Sequence, residues 1–351
     1  DALPISRTSI NVRDSVCSIR SGRTMESLNA WITGVYEAGP VIGGLAALGS
    51  LVAISLGAQT LSFVYKSFIR PGKDLKKLGK WAVITGATDG IGKAYAMALA
   101  KKGMNIVLVS RTEAKLMDVK SEIQGKYNGI EVQHVVCDYS NFDKAAQDKV
   151  QKSLEGLEIG ILINNVGVSY RYPQFFHELT DDEVRALLTM NIDSTVWMTR
   201  IVLPGMLDRK KGAIINISSG SALYTLPLLA EYSGAKSFIE KFSRALNAEY
   251  SAKGVTCQCQ VPFYVATKLA KMRKSLTVPT PSEFAAMGVR WIGYADALVQ
   301  PFWLHGLQAW VMFQLPEVVI AKGIMAMHLA IRKKGLKKDA KIAEDAMNKT
   351  K

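Results

Sequence analysis

Cysteine and histidine are scarce in this chain, with four of each in 351 residues. Cys17, Cys137, Cys257 and Cys259 are too few and too unevenly spaced for a disulfide framework, and they fit a reducing compartment. Cys257 and Cys259 alternate within VTCQCQVP, which reads as one buried face of a strand. With no further Cys or His close in sequence, no metal site is expected there. His134, His177, His305 and His328 are scattered and group into neither a ligand set nor a triad. Neither a repeat of fixed period nor a low-complexity tract is present, which excludes solenoids and arrays. A charged fraction of 21% beside 48% apolar residues excludes disorder and suffices for one large core or two modest ones.

Charge is missing altogether between Glu37 and Lys66. The run VIGGLAALGSLVAISLGAQTLSFVY exceeds the ~20 residues a helix needs to cross a bilayer core, so 38–66 reads as a single span. A hydrophobic hairpin on the membrane or a buried helix is the alternative. Lys66, Arg70, Lys73, Lys76, Lys77 and Lys80 make the C-terminal flank the more positive one, which places the chain beyond the span in the cytosol. A cleaved signal peptide fits less well, because the run is longer than an h-region and no small-residue cleavage site precedes the basic cluster. Ahead of the span lies an N-terminal segment, 1–37. Within it MESLNAW leads quickly to the apolar run, which points to Met25 as the natural start and to 1–24 as upstream residues. A net charge of +14 invites an anionic partner: nucleic acid, lipid headgroups or a phosphorylated ligand. No nucleic-acid-binding motif is present, and the lysines gather beside the apolar run and in the tail, which suits headgroups better.

From Lys80 to about Val265, apolar runs alternate with helix-length segments. Six candidate strands, WAVITG, NIVLVS, EVQHVVCDYS, IGILINNVG, GAIINISS and VTCQCQVP, read as a parallel sheet covered on both faces, a Rossmann-type doubly wound α/β fold. The expected organisation is a basic linker over 67–79, a catalytic domain over 80–270, an extension over 271–330 and a basic tail over 331–351. Within the extension, ALVQPFWLHGLQAWVMFQL (297–315) reads as a substrate-facing or interfacial element or, equally, as an ordinary core helix. The tail reads as a solvated basic helix able to touch anionic lipid.

Gly86, Gly90 and Gly92 stand where the first strand hands over to the first helix. Glycines there let backbone N–H groups approach a pyrophosphate at the positive end of a helix dipole; a plain tight turn is the alternative. At the end of the second strand the acid that would bond a ribose 2′-hydroxyl is absent, and Ser110 and Arg111 are there instead. A cation at this place suits the 2′-phosphate of NADP, unless Arg111 is an exposed cation at a helix start. Asp138 is placed to meet the adenine end of such a cofactor or to cap a turn.

Tyr232 and Lys236 are four apart on a predicted helix and share a face. An ammonium beside a phenol is expected to lower the phenol's pKa, which makes tyrosine usable as an acid or base near neutrality. Ser219 lies thirteen residues before Tyr232, at the end of the fifth strand. Ligands of parallel α/β sheets bind outside these carboxyl ends.

TGATDGIG, NNVG, Asn191 in MNI, Ser219 and YSGAK, in this order and spacing, resemble the short-chain dehydrogenase/reductase family over about Lys80 to Lys268. The resemblance implies that Tyr232 transfers the proton and that Lys236 tunes it and holds the nicotinamide ribose. It implies that Ser219, rather than its neighbour Ser218, positions the substrate carbonyl, and that Asn191 fixes a relay water. It also implies cofactor contacts from Gly86, Thr88, Asp89, Gly90, Ile91, Gly92, Arg111, Asp138, Asn165, Tyr232, Lys236, Val265 and Thr267. Asn165 belongs to the NNVG turn, which also supports the sheet.

A narrower resemblance covers the apolar N-terminal run, ILINNVGVSYRYPQFFHEL, PFYVATK, YVATKLAKMRK and IRKKGLKKD. It is to membrane-bound very-long-chain 3-oxoacyl-CoA reductases, relatives of a 17β-hydroxysteroid dehydrogenase subgroup. It implies NADPH, a long-chain 3-oxoacyl-CoA or a ketosteroid as substrate, and fatty acid elongation as the setting. Membrane lipid and elongase components would be the partners and the endoplasmic reticulum the location. A dilysine signal is broken by Asn348 beside Lys349, so retention would rest on the membrane segment and on partners. A catalytically silent lipid- or cofactor-binding scaffold is the alternative of another class, opposed by the intact Asn191, Ser219, Tyr232 and Lys236.

Overall fold

Residues 25–34 and 39–349 are described by the structure, a computed structural model. The expectation that 1–24 lie upstream of a natural start falls outside them. The chain divides into two compact units, Asp1–Arg70 and Pro71–Lys351. In the first, helix α1 covers 25–34 and α2 runs Pro40–Val64, continued by a wider π turn Tyr65–Ile69. Pro40 sits at the helix start, where its missing N–H costs nothing. Together Pro40–Ile69 make one helix long and apolar enough to cross a membrane, with its apolar side chains unburied by protein.

The second unit follows the βα rhythm of its sequence. Its elements are β1 Trp81–Thr85, α3 Gly90–Lys101, β2 Asn105–Ser110, α4 Glu113–Lys126, β3 Val132–Val136, α5 Lys144–Leu154, β4 Ile159–Asn164, α6 Asp181–Leu188, α7 Ser194–Asp208, β5 Gly212–Ile217, α8 Ala230–Tyr250, β6 Val255–Gln260, α9 Pro281–Trp291, β7 Leu298–Val299, α10 Trp303–Phe313 and α11 Glu317–Lys349. All strand pairs are parallel, in the order β3-β2-β1-β4-β5-β6-β7. The order reverses between β1 and β4, so loops after these strands diverge and leave a crevice at the carboxyl edge. β1, β4 and β5 are buried at every position, as their uninterrupted apolar runs require of strands covered on both faces. Alternate side chains feed two cores. One holds Ile84, Tyr95, Leu99, Leu108 and Phe284; the other holds Val83, Val109, Leu162, Met198 and Cys257.

The fold corrects four readings of the sequence. β7 is a seventh strand, two residues long, within the segment read as wholly helical or interfacial. The basic linker is no tether from Pro71 onward: Leu75 is buried in the core and Lys73 Nζ donates to Gly293 O at 2.6 Å. Helix α11 crosses residue 330 without a break, so extension and tail are one element. Nor is that tail merely solvated. Tyr172 Oη donates to Asp339 at 2.9 Å, and Arg332 pairs with Glu178 at 2.5 Å.

The turn between β1 and α3 is the tightest feature of the sheet edge. Gly86 and Gly90 have φ of +63° and +55°, where a side chain strains the backbone. A Cβ on Gly92 would lie 2.3 Å from Gly86 O and 2.5 Å from Asn165 Nδ2. Gly92→Ala should therefore destabilise the fold by about 1–3 kcal/mol and weaken cofactor binding, since helix and turn must part. Thermal melts and a fluorescence titration check this, and an unchanged melting temperature would show that the turn yields freely.

Candidate active site

The carboxyl edge gathers the residues singled out in the sequence. Asp89 caps α3, its Oδ1 accepting from Gly90 N at 2.8 Å, and its Oδ2 lies 2.7 Å from Lys268 Nζ. That hydrogen bond to Lys268, helped by Gly90 N–H, holds the Asp89 carboxyl below the usual carboxylate range. Asn165 Nδ2 donates to Thr85 O and Gly86 O at 3.2 and 3.3 Å, so its side chain clips the glycine turn to β4. Thr88 Oγ1 lies 3.2 Å from Ser110 Oγ, which draws the turn to the end of β2 where Arg111 is exposed. Asp138 does cap a turn, accepting from Ser140 N and Oγ at 2.9 and 2.8 Å. These bonds, and the charge of Arg111 after them, hold its pKa low. Ile91 is half-buried and packs on the core; Val265 is fully inside it, leaving its backbone alone for any ligand. The Thr267 methyl faces Gly90, 3.5 Å from where a Cβ would stand.

Around the crevice the proton-handling groups converge. A wider π turn, Thr189–Asp193, links α6 to α7 and carries Asn191 inward, fully buried. Asn191 Nδ2 donates to Val168 O and Leu187 O, both at 2.9 Å, which fixes the amide's orientation. Its Oδ1 is buried without a hydrogen-bond partner among the described residues. A Cβ on Gly167 would lie 2.6 Å from that Oδ1 and 3.0 Å from Lys236 Nζ, so only glycine lets both polar atoms reach the loop after β4. Lys236 Nζ donates to Ile217 O at 3.3 Å and stands 5.8 Å from the Tyr232 ring centre. Ser218 turns away, donating to Lys236 O at 2.8 Å, whereas Ser219 is beside the Tyr232 hydroxyl.

The electrostatics differ from the sequence expectation. Burial pushes the Tyr232 phenol above its ordinary pKa, and the neighbouring Ser219 and Ser221 hydroxyls draw it back only in part. Burial acts on Lys236 as well, depressing it to about 8. A phenol that keeps its proton at neutral pH is suited to donate one.

Some neighbours carried no signal of their own in the sequence. Ser221, whose N–H donates to Ser219 Oγ at 3.2 Å, and Lys268, partner of Asp89, are recognisable only once the loops are folded. His305 is another. It is buried, with its pKa depressed to about 4 by that burial. It accepts from Phe263 N at 3.2 Å and faces Thr277 O at 3.2 Å, pinning both ends of the loop that carries Val265 and Thr267.

A sequence profile described as short chain dehydrogenase matches residues 80–276. The chain belongs to the short chain dehydrogenase family. It is accordingly an NAD(P)-dependent oxidoreductase. It is 45% identical over 264 residues to the very-long-chain 3-oxoacyl-CoA reductase of Macaca fascicularis, covering 74% of this chain and 83% of that one. To the protein of that name from Anas platyrhynchos it is 42% identical over 304 residues, covering 86% and 93%. Among solved structures, a short-chain dehydrogenase from Sphingobium yanoikuyae in complex with NADPH superimposes with a TM-score of 0.58. It is 26% identical and covers 68% of this chain and 96% of that one. A 7beta-hydroxysteroid dehydrogenase structure, 23% identical, shares the fold with a TM-score of 0.65 over 72% of this chain and 99% of that one.

The residues present fit a dinucleotide. The cradle of Gly86, Gly90 and Gly92 at the positive end of α3 is one a Cβ would fill, and it would hold the pyrophosphate. Thr88 and Arg111 would flank the adenosine ribose, and Lys236 and Tyr232 the nicotinamide ribose.

Burying Lys236 has a stability consequence with a definite sign. Its folded pKa is depressed from 10.5 to about 8. Below pH 8 folded and unfolded chains both hold the proton, and burial costs the fold on the order of 3 kcal/mol. Between about 8 and 10.5 the folded chain has released it and the unfolded chain has not, so the cost fades as pH rises. Lys236→Met should thus be more stable than the parent at pH 7, by an amount that shrinks toward pH 10.5, as read by paired denaturant melts. A variant less stable than the parent at pH 7 would overturn this reading.

Proposed function

We propose that the protein reduces the 3-keto group of long and very long 3-oxoacyl-CoA to a 3-hydroxyl, with NADPH as hydride donor, within fatty acid elongation. One observation carries this. Asn191 and Lys236 meet at Gly167, and Ser219 is beside the Tyr232 hydroxyl, in a chain 42 to 46% identical to proteins named very-long-chain 3-oxoacyl-CoA reductase. A nicotinamide held by Lys236 and Tyr232 would supply the hydride to the keto carbon. Tyr232, neutral at physiological pH, gives its proton to the keto oxygen, which completes the alcohol. The Ser219 hydroxyl bonds the same oxygen and orients the carbonyl. Lys236, charged below about pH 8, stabilises the phenolate left on Tyr232 and anchors the ribose. Asn191 Oδ1, a buried acceptor held in place by its own amide bonds, fixes the water through which the proton returns. Arg111 reads the 2′-phosphate by a charge-assisted contact, which sets NADPH above NADH. The apolar helix Pro40–Ile69 is the anchor in the endoplasmic reticulum membrane, with the catalytic unit in the cytosol and elongase components as partners.

Membranes containing the protein should oxidise NADPH with a long-chain 3-oxoacyl-CoA; reduction of a 17-ketosteroid but of no 3-oxoacyl-CoA would overturn the substrate assignment. Tyr232→Phe should lower turnover by about 100-fold or more while NADPH still binds, because packing persists and the proton is gone. Turnover within about tenfold of the parent would refute the role of Tyr232. Arg111→Ala should raise the NADPH KM about tenfold and leave the NADH KM nearly unchanged. If the ratio stays put, another cation reads the phosphate.

A further inference from the structure

Helices α10 and α11 are joined by a short turn, Gln314, Leu315 and Pro316. Around that turn Trp310, Val311, Phe313, Leu315, Val318 and Val319 are 47 to 58% exposed. Single exposed apolar residues need no explanation, but a contiguous group of this size does. The group is not loosely hung. Tyr224 Oη donates to Ala309 O at 2.6 Å, the Tyr224 and Phe313 rings lie 5.0 Å apart, and His305 and Ala309 are buried beneath. Glu317, the acid at this end, is bonded by Thr225.

Charge along α11 says what covers this face. Contacts from His328, Arg332, Gly335 and Asp339 hold one side of the helix against the catalytic unit. The side left outward exposes Lys333, Lys334, Lys337, Lys338 and Lys341, with Glu344 and Asp345 exposed one turn further on, so five cations face outward against two acids. Asp339 faces inward, where it is paired with Arg171. A second copy presenting the same face would set these lysines against each other. An apolar end followed by a net cationic face on the same helix matches acyl chains beneath phosphate headgroups.

We propose that the end of α10, the turn after it and the outward side of α11 are a lipid-docking face, monotopic and separate from the helix Pro40–Ile69, that seats on an anionic leaflet. The apolar end enters the headgroup boundary and the lysines meet the phosphates. Tyr224 and Thr225, which hold α10 and the start of α11, follow Ser219 closely in sequence, so the docked surface borders the segment that leaves the candidate active site.

The test uses the full chain in nanodiscs, with Cys17→Ser to leave only the buried cysteines. Phe313→Cys or Val318→Cys carries an NBD fluorophore, and Gln124→Cys on exposed α4 is the reference. In discs with phosphatidylserine, emission at 313 and 318 should shift to the blue, and doxyl lipid should quench it by more than about half, with position 124 unaffected. Lys333→Glu, Lys334→Glu and Lys337→Glu combined should remove the advantage of phosphatidylserine over neutral discs. Probes at 313 and 318 no more shielded than at 124 would overturn the proposal. Shielding that ignores lipid composition and comes with crosslinks between copies would overturn it too, making the face a protein interface. No readout involves turnover, so the result is independent of the substrate assignment.

Discussion

The arrangement of the site depends on one buried hydrogen bond, from Asn164 Nδ2 on β4 to Asn216 Oδ1 on β5, 2.9 Å long. Each amide reaches on to a helix: Asn164 to Thr199 Oγ1 on α7 at 3.1 Å, Asn216 to Ser243 Oγ on α8 at 2.8 Å. Buried amides are costly unless paired, so this chain of bonds permits few relative positions of the two helices. Asn191 stands just before α7, while Tyr232 and Lys236 stand on α8. An apolar pair at 164 and 216 would pack as well and would specify less. Positional accuracy at the crevice is thus set within the core, about two helical turns from the groups that do the chemistry.

That accuracy allows the site to hold a group it disfavours. Lys236 is in surroundings that reduce its affinity for a proton, and its one backbone acceptor, Ile217 O, is a weak partner for a full charge. The surroundings also raise Tyr232, so burial drives both groups toward neutrality. For a reductase this is the useful direction in the phenol, which must begin protonated. It leaves the ammonium as the group whose charge is in play near neutrality. The expectation from the sequence, a lysine lowering a tyrosine, treated their spacing as if water surrounded them; the folded protein adds a desolvation that spacing alone does not encode.

What was legible in the sequence was what local chemistry dictates. Continuous apolar runs announced buried parallel strands, the glycines of TGATDGIG announced a close turn from strand to helix, and Tyr232 and Lys236 share a helical face because they are four apart. What was not legible depends on contacts far apart in the chain. Leu298 and Val299 become a strand only because β6 offers an open edge, and two residues carry no period. The basic tail reads as solvated because its lysines dominate, yet Arg332 and Asp339 meet partners more than 150 residues earlier. Lys268 and Asp89 are likewise drawn together by the fold alone.

The loop after β6 shows how these layers combine. Its start packs on the glycine turn through Thr267, Lys268 ties it to the cap of α3, and His305 holds both its ends from α10. Burial keeps His305 neutral down to about pH 4, so the same ring can accept from Phe263 N and donate to Thr277 O across the physiological range. A protonated ring would lose the first of these bonds. The aromatic surroundings of His305, with Phe263, Phe284 and Phe302 all close by, therefore do more than fill space. They keep the ring neutral, the neutral ring keeps both bonds to the loop, and the loop joins the glycine turn before α3 to α10, whose far end is apolar and exposed.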